Sequence, residues 1–142
     1  RSRALGDSGP LSWRNATIAE LNGHTAGMLI TYETPQEPEV VDSTTHPLFR
    51  PLIKLENQVP RTRYINALAT FPQFQMKGVG RRLMAEAEKA AAQLGTTLIV
   101  SNGNTKARNF CSHLGFKEIS RLPLVRADWK TDSTDWILLR KN

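Results

Sequence analysis

Cysteine is almost missing from this chain. Cys111 stands alone, so no internal disulfide can form, and a reducing, cytoplasmic setting is expected. Aromatic residues are sparse at 7%, and none lies between Gln75 and Arg108, where positive charge gathers. Surfaces that bind single-stranded nucleic acid interleave stacking rings with their cations, so a nucleic-acid partner is not expected. No apolar run approaches the ~20 residues of a membrane span, and the opening "RSRALGDSGP" has no signal-like apolar core. No membrane partner is expected. That opening also lacks a methionine, so the N-terminal elements are expected to be incomplete. The three histidines, His24, His46 and His113, form no ligand spacing with Cys111, and no metal is expected. Internal repeats and low-complexity tracts are absent too.

What is present suits one domain, residues 1–142, built round a single core. Hydrophobic content of 39% and charged content of 23% are those of a globular chain. The net charge of +6 is unevenly spread. Gln75 to Arg108 carries Lys77, Arg81, Arg82, Lys89, Lys106 and Arg108 against Glu86 and Glu88, a net of +4. Glu33 to Val59 carries Glu33, Glu37, Glu39, Asp42 and Glu56 against Arg50 and Lys54, a net of −3. A basic patch of this kind draws the phosphates of a ligand.

"NATIAELNGHTAGMLITYE" reads as two strands joined at Asn22-Gly23, both tolerant of positive φ. A proline-rich excursion over residues 33–62 follows, with one short helix expected around Leu52 to Leu55. "RYINALATF" is a third strand, stopped by Pro72. Gly78 to Leu94 reads as the best helix, with Val79, Leu83, Ala87, Ala90, Ala91 and Leu94 on one face and Gly95 as its stop. "TTLIVS" is a buried-type strand. A second helix then begins at an Asn104 cap, buries Ala107, Phe110, Cys111 and Leu114, and ends at Gly115. "FKEISRLPL" and "DWILLRK" close the chain as strands. The order is β-β-β-α-β-α-β-β, a mixed sheet with helices packed on it.

The informative stretch is "QMKGVGRR". Helix-start N–H groups have no partner within the helix. With side chains removed at Gly78 and Gly80, a phosphate can accept them closely, helped by the helix dipole and by Lys77, Arg81 and Arg82. The pattern is neither a Walker loop nor a dinucleotide fingerprint. A tight strand-to-helix turn is the plainer use of the same glycines.

"LATFPQFQMKGVGRRLM" resembles the cofactor-binding motif of the GNAT-type N-acetyltransferases, "LAVxPxYRGKGIGxxLL". Leu68, Ala69, Pro72, Lys77, Gly78 and Gly80 match, while Phe74, Gln75 and Met76 replace a tyrosine, an arginine and a glycine. The second helix resembles the family's "NxxAxxLYxxxGF" at Asn104, Ala107, Phe110, Gly115 and Phe116. The resemblance implies an α/β (α+β) fold: a mixed, mostly antiparallel twisted sheet flanked by helices, its central strands splayed. It implies acetyl-coenzyme A as cofactor, with its pyrophosphate on the backbone of Gln75, Met76, Lys77, Gly78, Val79, Gly80 and Arg81. The pantetheine arm would lie between the strands that begin at Arg63 and Thr97, on main-chain groups of Leu68, Ala69 and Thr70. Asn104 and Ala107 would meet the cofactor from the second helix.

The implied reaction is direct acetyl transfer to a primary amine of a small molecule or peptide. Where the family carries a tyrosine as general acid, this chain has Cys111, which reads either as the proton donor or as a core residue. No carboxylate stands on "RYINALATF"; Asn66, Tyr64, Glu33 and Glu56 are the candidates for the base. His113 reads as surface, and Trp129 and Trp136 as packing near the last hairpin, with Trp129 also placed to line an acceptor pocket. A non-catalytic coenzyme A-binding module of the same fold is the alternative, and a homodimer is left open.

Overall fold

The structure, a computed structural model, describes residues 12–142; residues 1–11, and with them the expectations about the chain's opening, lie outside the described residues. The first hairpin forms as its turn chemistry requires. β1 (Ala16–Leu21) and β2 (His24–Glu33) pair antiparallel, and Asn22 and Gly23 take φ of 54° and 79° between them.

The excursion is more structured than its prolines suggest. A short 3-10 turn leads into α1 (Arg50–Glu56), whose Pro51 and Leu55 are buried. Its two ends are pinned together by threonines. Thr34 N–H donates to the Thr62 carbonyl at 2.9 Å, and the Thr62 and Thr97 hydroxyls meet at 2.9 Å. The excursion therefore leaves and returns at one point on the sheet.

β3 (Arg63–Thr70) ends at Pro72, and α2 (Val79–Ala91), β4 (Thr96–Ser101), α3 (Thr105–His113), β5 (Lys117–Pro123) and β6 (Asp135–Lys141) follow. The sheet has six strands in the order β1-β2-β3-β4-β6-β5, antiparallel at every pair except β3–β4. Strand alternation sends successive residues to opposite faces. Leu98, Val100, Ile137 and Leu139 pack with Val79, Leu83, Met84 and Ala87 of α2 and Cys111 of α3. Between them in sequence, Ile99 and Leu138 pack instead with Leu55 and Val59 on the α1 side.

Two expectations are corrected. The long helix ends at Ala91, not Leu94, because Ala92 takes φ 52° and breaks the ladder before Gly95. Its buried face runs through Val79, Leu83, Met84, Ala87 and Ala91, while Ala90 is exposed and Leu94, beyond the helix end, is half-buried.

The β3–β4 pair decides the site. It holds register only at Arg63↔Thr96, Tyr64↔Thr97 and Ile65↔Leu98. β3 then runs on to Thr70 and β4 to Ser101 with no pairing between them. A bulge in the β2–β3 ladder leaves Asn66 as the extra residue where the strands part, between the pairs Ile30↔Ala67 and Thr31↔Ile65.

Candidate active site

The parted strands enclose a cavity of about 870 Å³. One wall is β3 from Ile65 to Thr70, the other is β4 from Leu98 to Val100, and the start of α2 and the facing side of α3 close the rest. Beyond Ile65, backbone groups on the open side of β3 have no strand partner, and an extended ligand can take the place of one. Leu68, Ala69 and Thr70 all line this wall.

Gly78 and Gly80 serve different ends. Gly78 caps α2 at φ 82°, a left-handed conformation that favours glycine, and a Cβ there would meet nothing within 4 Å. Gly80 sits inside the helix, and a Cβ there would touch Phe110 at 3.5 Å and Thr70 Oγ1 at 3.8 Å, which is ordinary contact. It lines the cavity, so a side chain there would point into ligand space. Arg82 N–H makes the first bond of the helix, to the Gly78 carbonyl at 3.0 Å. The N–H groups of Val79, Gly80 and Arg81 precede that ladder, at the cavity. Here helix-start N–H groups and positive charge come together, an arrangement suited to an anion.

Of the residues expected from sequence, Leu68, Ala69, Thr70, Gln75, Met76, Gly78, Val79, Gly80, Arg81, Asn104, Ala107 and Cys111 all line the cavity. Lys77 does not; it is exposed beside the loop, and there it supplies charge without contact. Met76 takes φ 63° with 99% of its surface exposed, a non-glycine residue holding a glycine conformation. Asn104 Oδ1 accepts from Ala107 N–H at 3.2 Å, so it caps α3 and lines the cavity at once.

Sequence reasoning did not foresee the roles of Lys106 and Gly27, nor that Phe110 would pack against the helix start. Gln75 stands at the mouth with its amide reaching the Thr70 carbonyl and the Lys106 ammonium, each at 3.4 Å. Lys106 thus brings a cation from α3 to the position where the family pattern has an arginine on the loop. Phe110 packs beside Gly80. Gly27, on β2, lets α2 settle: a Cβ there would stand 2.7 Å from the Ala69 carbonyl oxygen and 2.9 Å from Val79 Cγ1. Its signal was a glycine inside an otherwise regular strand.

Cys111 is buried, and burial pushes its thiol up to about 11. On the opposite face of the sheet the Tyr32 hydroxyl donates to Glu56 Oε1 at 3.0 Å. Burial, with Glu39 adding to it, pushes the Glu56 carboxyl above its usual range against the pull of that hydrogen bond. Tyr32 itself is held protonated, by burial first and then by the Glu56 charge. Tyr64 packs edge-on to Tyr32 at 5.5 Å. Glu33 pairs instead with Arg61 at 3.8 Å, away from this group. Trp129 and Trp136 stack at 5.6 Å, and Trp136 joins the α1-side core, as packing near the last hairpin predicted. His113 is exposed and ties back to the Asn109 carbonyl at 2.7 Å. No helix among the described residues is long and apolar enough to cross a membrane.

No curated protein matches the sequence. Among solved structures, the fold is similar to a Bacillus anthracis protein assigned as a streptothricin acetyltransferase and solved with acetyl coenzyme A (TM-score 0.62, 20% identity, covering 89% of this chain and 61% of that one). It is similar also to an N-acetyltransferase from Staphylococcus aureus (TM-score 0.66, 13% identity, 98% and 76%). Naa20 from Chaetomium thermophilum, solved with a bisubstrate analogue, is similar as well (TM-score 0.63, 21% identity, 87% and 63%). The chain thus spans 61% of the length of the first of these and 63% of the last. A family model described as the acetyltransferase (GNAT) family matches residues 5–116, which takes in both parted strands, the glycine-started helix and the Asn104 cap. The chain belongs to the GNAT acetyltransferase family.

Proposed function

We propose that this protein transfers an acetyl group from acetyl-coenzyme A directly to a primary amine of a small molecule or peptide. The observation that carries the reading is the slot between β3 and β4, which ends on the unpartnered amides of α2. Its shape and chemistry fit the cofactor: a long apolar channel with free strand edges for the arm, opening at donors and cations for the diphosphate. The fold's likeness to proteins solved with acetyl coenzyme A and with a bisubstrate analogue supports it.

In this reading the backbone from Gln75 to Arg81 holds the pyrophosphate, with charge from Lys77, Arg81, Arg82 and Lys106. The open edge of Leu68, Ala69 and Thr70 holds the arm, and Asn104 and Ala107 close the far wall. Acetyl-coenzyme A brings an acyl group already activated as a thioester. One main-chain N–H in the Leu68–Ala69 region, on the strand edge that faces the slot, is the donor available to negative charge developing on the acyl oxygen, an effect worth about 3–4 kcal/mol where such donors have been removed. An alkyl amine with a pKa of about 10.4 must first shed a proton, at roughly 4–5 kcal/mol at neutral pH.

Cys111 belongs to the wall and not to the proton inventory. A thiol held at about 11 is a weaker acid than the leaving alkyl thiol near ~8.5, and giving up its proton runs uphill by roughly 3 kcal/mol. The leaving thiolate takes its proton from water.

Titration calorimetry with acetyl-coenzyme A, paired with thiol release on a panel of benzylamine, 1,4-diaminobutane and a short peptide with a free N-terminus, tests the reading. Binding with turnover on at least one amine is expected. Binding without turnover on any amine would favour a coenzyme A-binding module that does no chemistry.

A further inference from the structure

The slot passes through the sheet. Met84, Val100 and Cys111 line it on the α2–α3 side, while Asn66 and Ile99 line it where Ile99 meets the α1-side core. Asn66 is the bulge residue at the point of parting, and its side chain approaches the Tyr32 hydroxyl. That hydroxyl donates to Glu56 Oε1 at 3.0 Å. Asn66 lines the slot and thus stands between it and the Tyr32–Glu56 pair, which lies just behind that wall.

Glu56 is an unusual residue to find there. It is half-buried and makes no ion pair among the described residues, although each of Glu33, Glu88, Glu118 and Asp135 does. The charged and titratable groups that face it are Tyr32 from β2, Tyr64 from β3 and Glu39 from the excursion, and none is a cation. Holding α1 to the sheet does not require it, because Leu55 and Val59 supply that packing. A partly desolvated carboxylate with no counter-ion costs free energy, and for one separated from a slot-lining residue by Tyr32 alone that cost suggests a use.

We infer that Glu56, acting through the Tyr32 hydroxyl, receives the proton that leaves the amine nitrogen as it bonds to the acetyl carbon. This rests on the acetyl-transfer reading above. The amine enters uncharged, and its nitrogen becomes strongly acidic once the C–N bond forms. One N–H bond then breaks and its proton passes, through one water beside Asn66, to the Tyr32 oxygen, while the proton of Tyr32 passes to Glu56. Tyr32 ends as it began, the carboxylate becomes a carboxylic acid, the C–S bond breaks, and the thiolate takes a proton from water. Glu56 afterwards returns its proton to the solvent it still touches. Tyr32 never needs to ionise, which agrees with its being held protonated.

The test uses Glu56→Gln and Tyr32→Phe in the full chain, with the panel amine that the wild type turns over best. Glutamine keeps an oxygen for the Tyr32 hydroxyl, so α1 stays docked. Both variants are expected to bind acetyl-coenzyme A within about twofold of wild type and to lose about 100-fold in kcat/KM. The wild-type profile should rise with pH through a group above the ordinary carboxylate range, and that limb should vanish in Glu56→Gln. A Glu56→Gln enzyme with wild-type kcat/KM and an unchanged limb overturns the inference and leaves acetyl transfer standing. If the wild type binds acetyl-coenzyme A but acetylates none of the panel, acetyl transfer and this inference fall together, and that is seen before any variant is made.

Discussion

Single residues at this site are chosen for what they leave out. Gly27 is the clearest case, because any Cβ would collide with the Ala69 carbonyl and with Val79 at once, and neither is the free end of a flexible chain. Gly27→Ala is expected to cost about 1–3 kcal/mol in urea unfolding as α2 lifts off β2 and β3. An unchanged midpoint would mean that the helix sits more loosely than described. Cys111 yields a prediction with a definite sign. The folded thiol keeps its proton up to about 11, whereas the unfolded one releases it near the ordinary 9.0. Stability is therefore unaffected by this group below pH 9 and falls between 9 and 11, by at most about 2–3 kcal/mol. Relative to wild type, Cys111→Ala should lack that decline and should keep kcat within about threefold, the latter because its thiol takes no part in proton transfer. Legibility at this scale was uneven. The loop glycines, the Asn104 cap and the cysteine on the buried stripe could be read directly, because each belongs to a local pattern. Gly27 and the role of Lys106 could not, nor could the pairing with Tyr32 that singles out Glu56 from the four candidate bases, since their meaning comes from partners far away along the chain.

Among the elements, β3 contributes the most lining residues to the slot with the least sequence signal. Period-two alternation and Pro72 marked its length, and nothing in the string marked the bulge at Asn66 or the loss of pairing after Ile65. Both follow from geometry that only the assembled sheet supplies. The excursion shows the opposite failure of local signals. Its five prolines read as an irregular path. Yet Pro51 sits in the first turn of α1, where a missing N–H costs nothing, and Leu55 is wholly buried. Parting of the strands should be visible in hydrogen exchange. Amides on the slot side of β3 from Asn66 to Thr70 are expected to exchange faster than those of Arg63 to Ile65, and to slow when acetyl-coenzyme A is added. Uniform protection along β3 without ligand would show the two strands zipped together.

Across the whole molecule, the two faces of the sheet divide the labour. Positive charge from the α2 loop and α3 surrounds the mouth of the slot on one side. The excursion brings α1 and the carboxylates of Glu39 and Glu56 to the other, where Glu56 stands near the inner end. A cofactor entering from the basic mouth and an amine approaching from the acidic face would meet at the parting of β3 and β4. Net charge of +6 alone says none of this, because the separation depends on which face each segment covers. The central claim is that the open end of α2 grips a diphosphate through its backbone. It is tested most directly by calorimetric titration of acetyl-coenzyme A into wild type and Gly80→Leu. That substitution puts a side chain into the slot next to Phe110, at a helical position whose Cβ would make only ordinary contacts. Saturable one-to-one binding to wild type is predicted, weakened at least about tenfold in the variant, or about 1.4 kcal/mol. No binding to wild type, or equal affinity in both proteins, would contradict it.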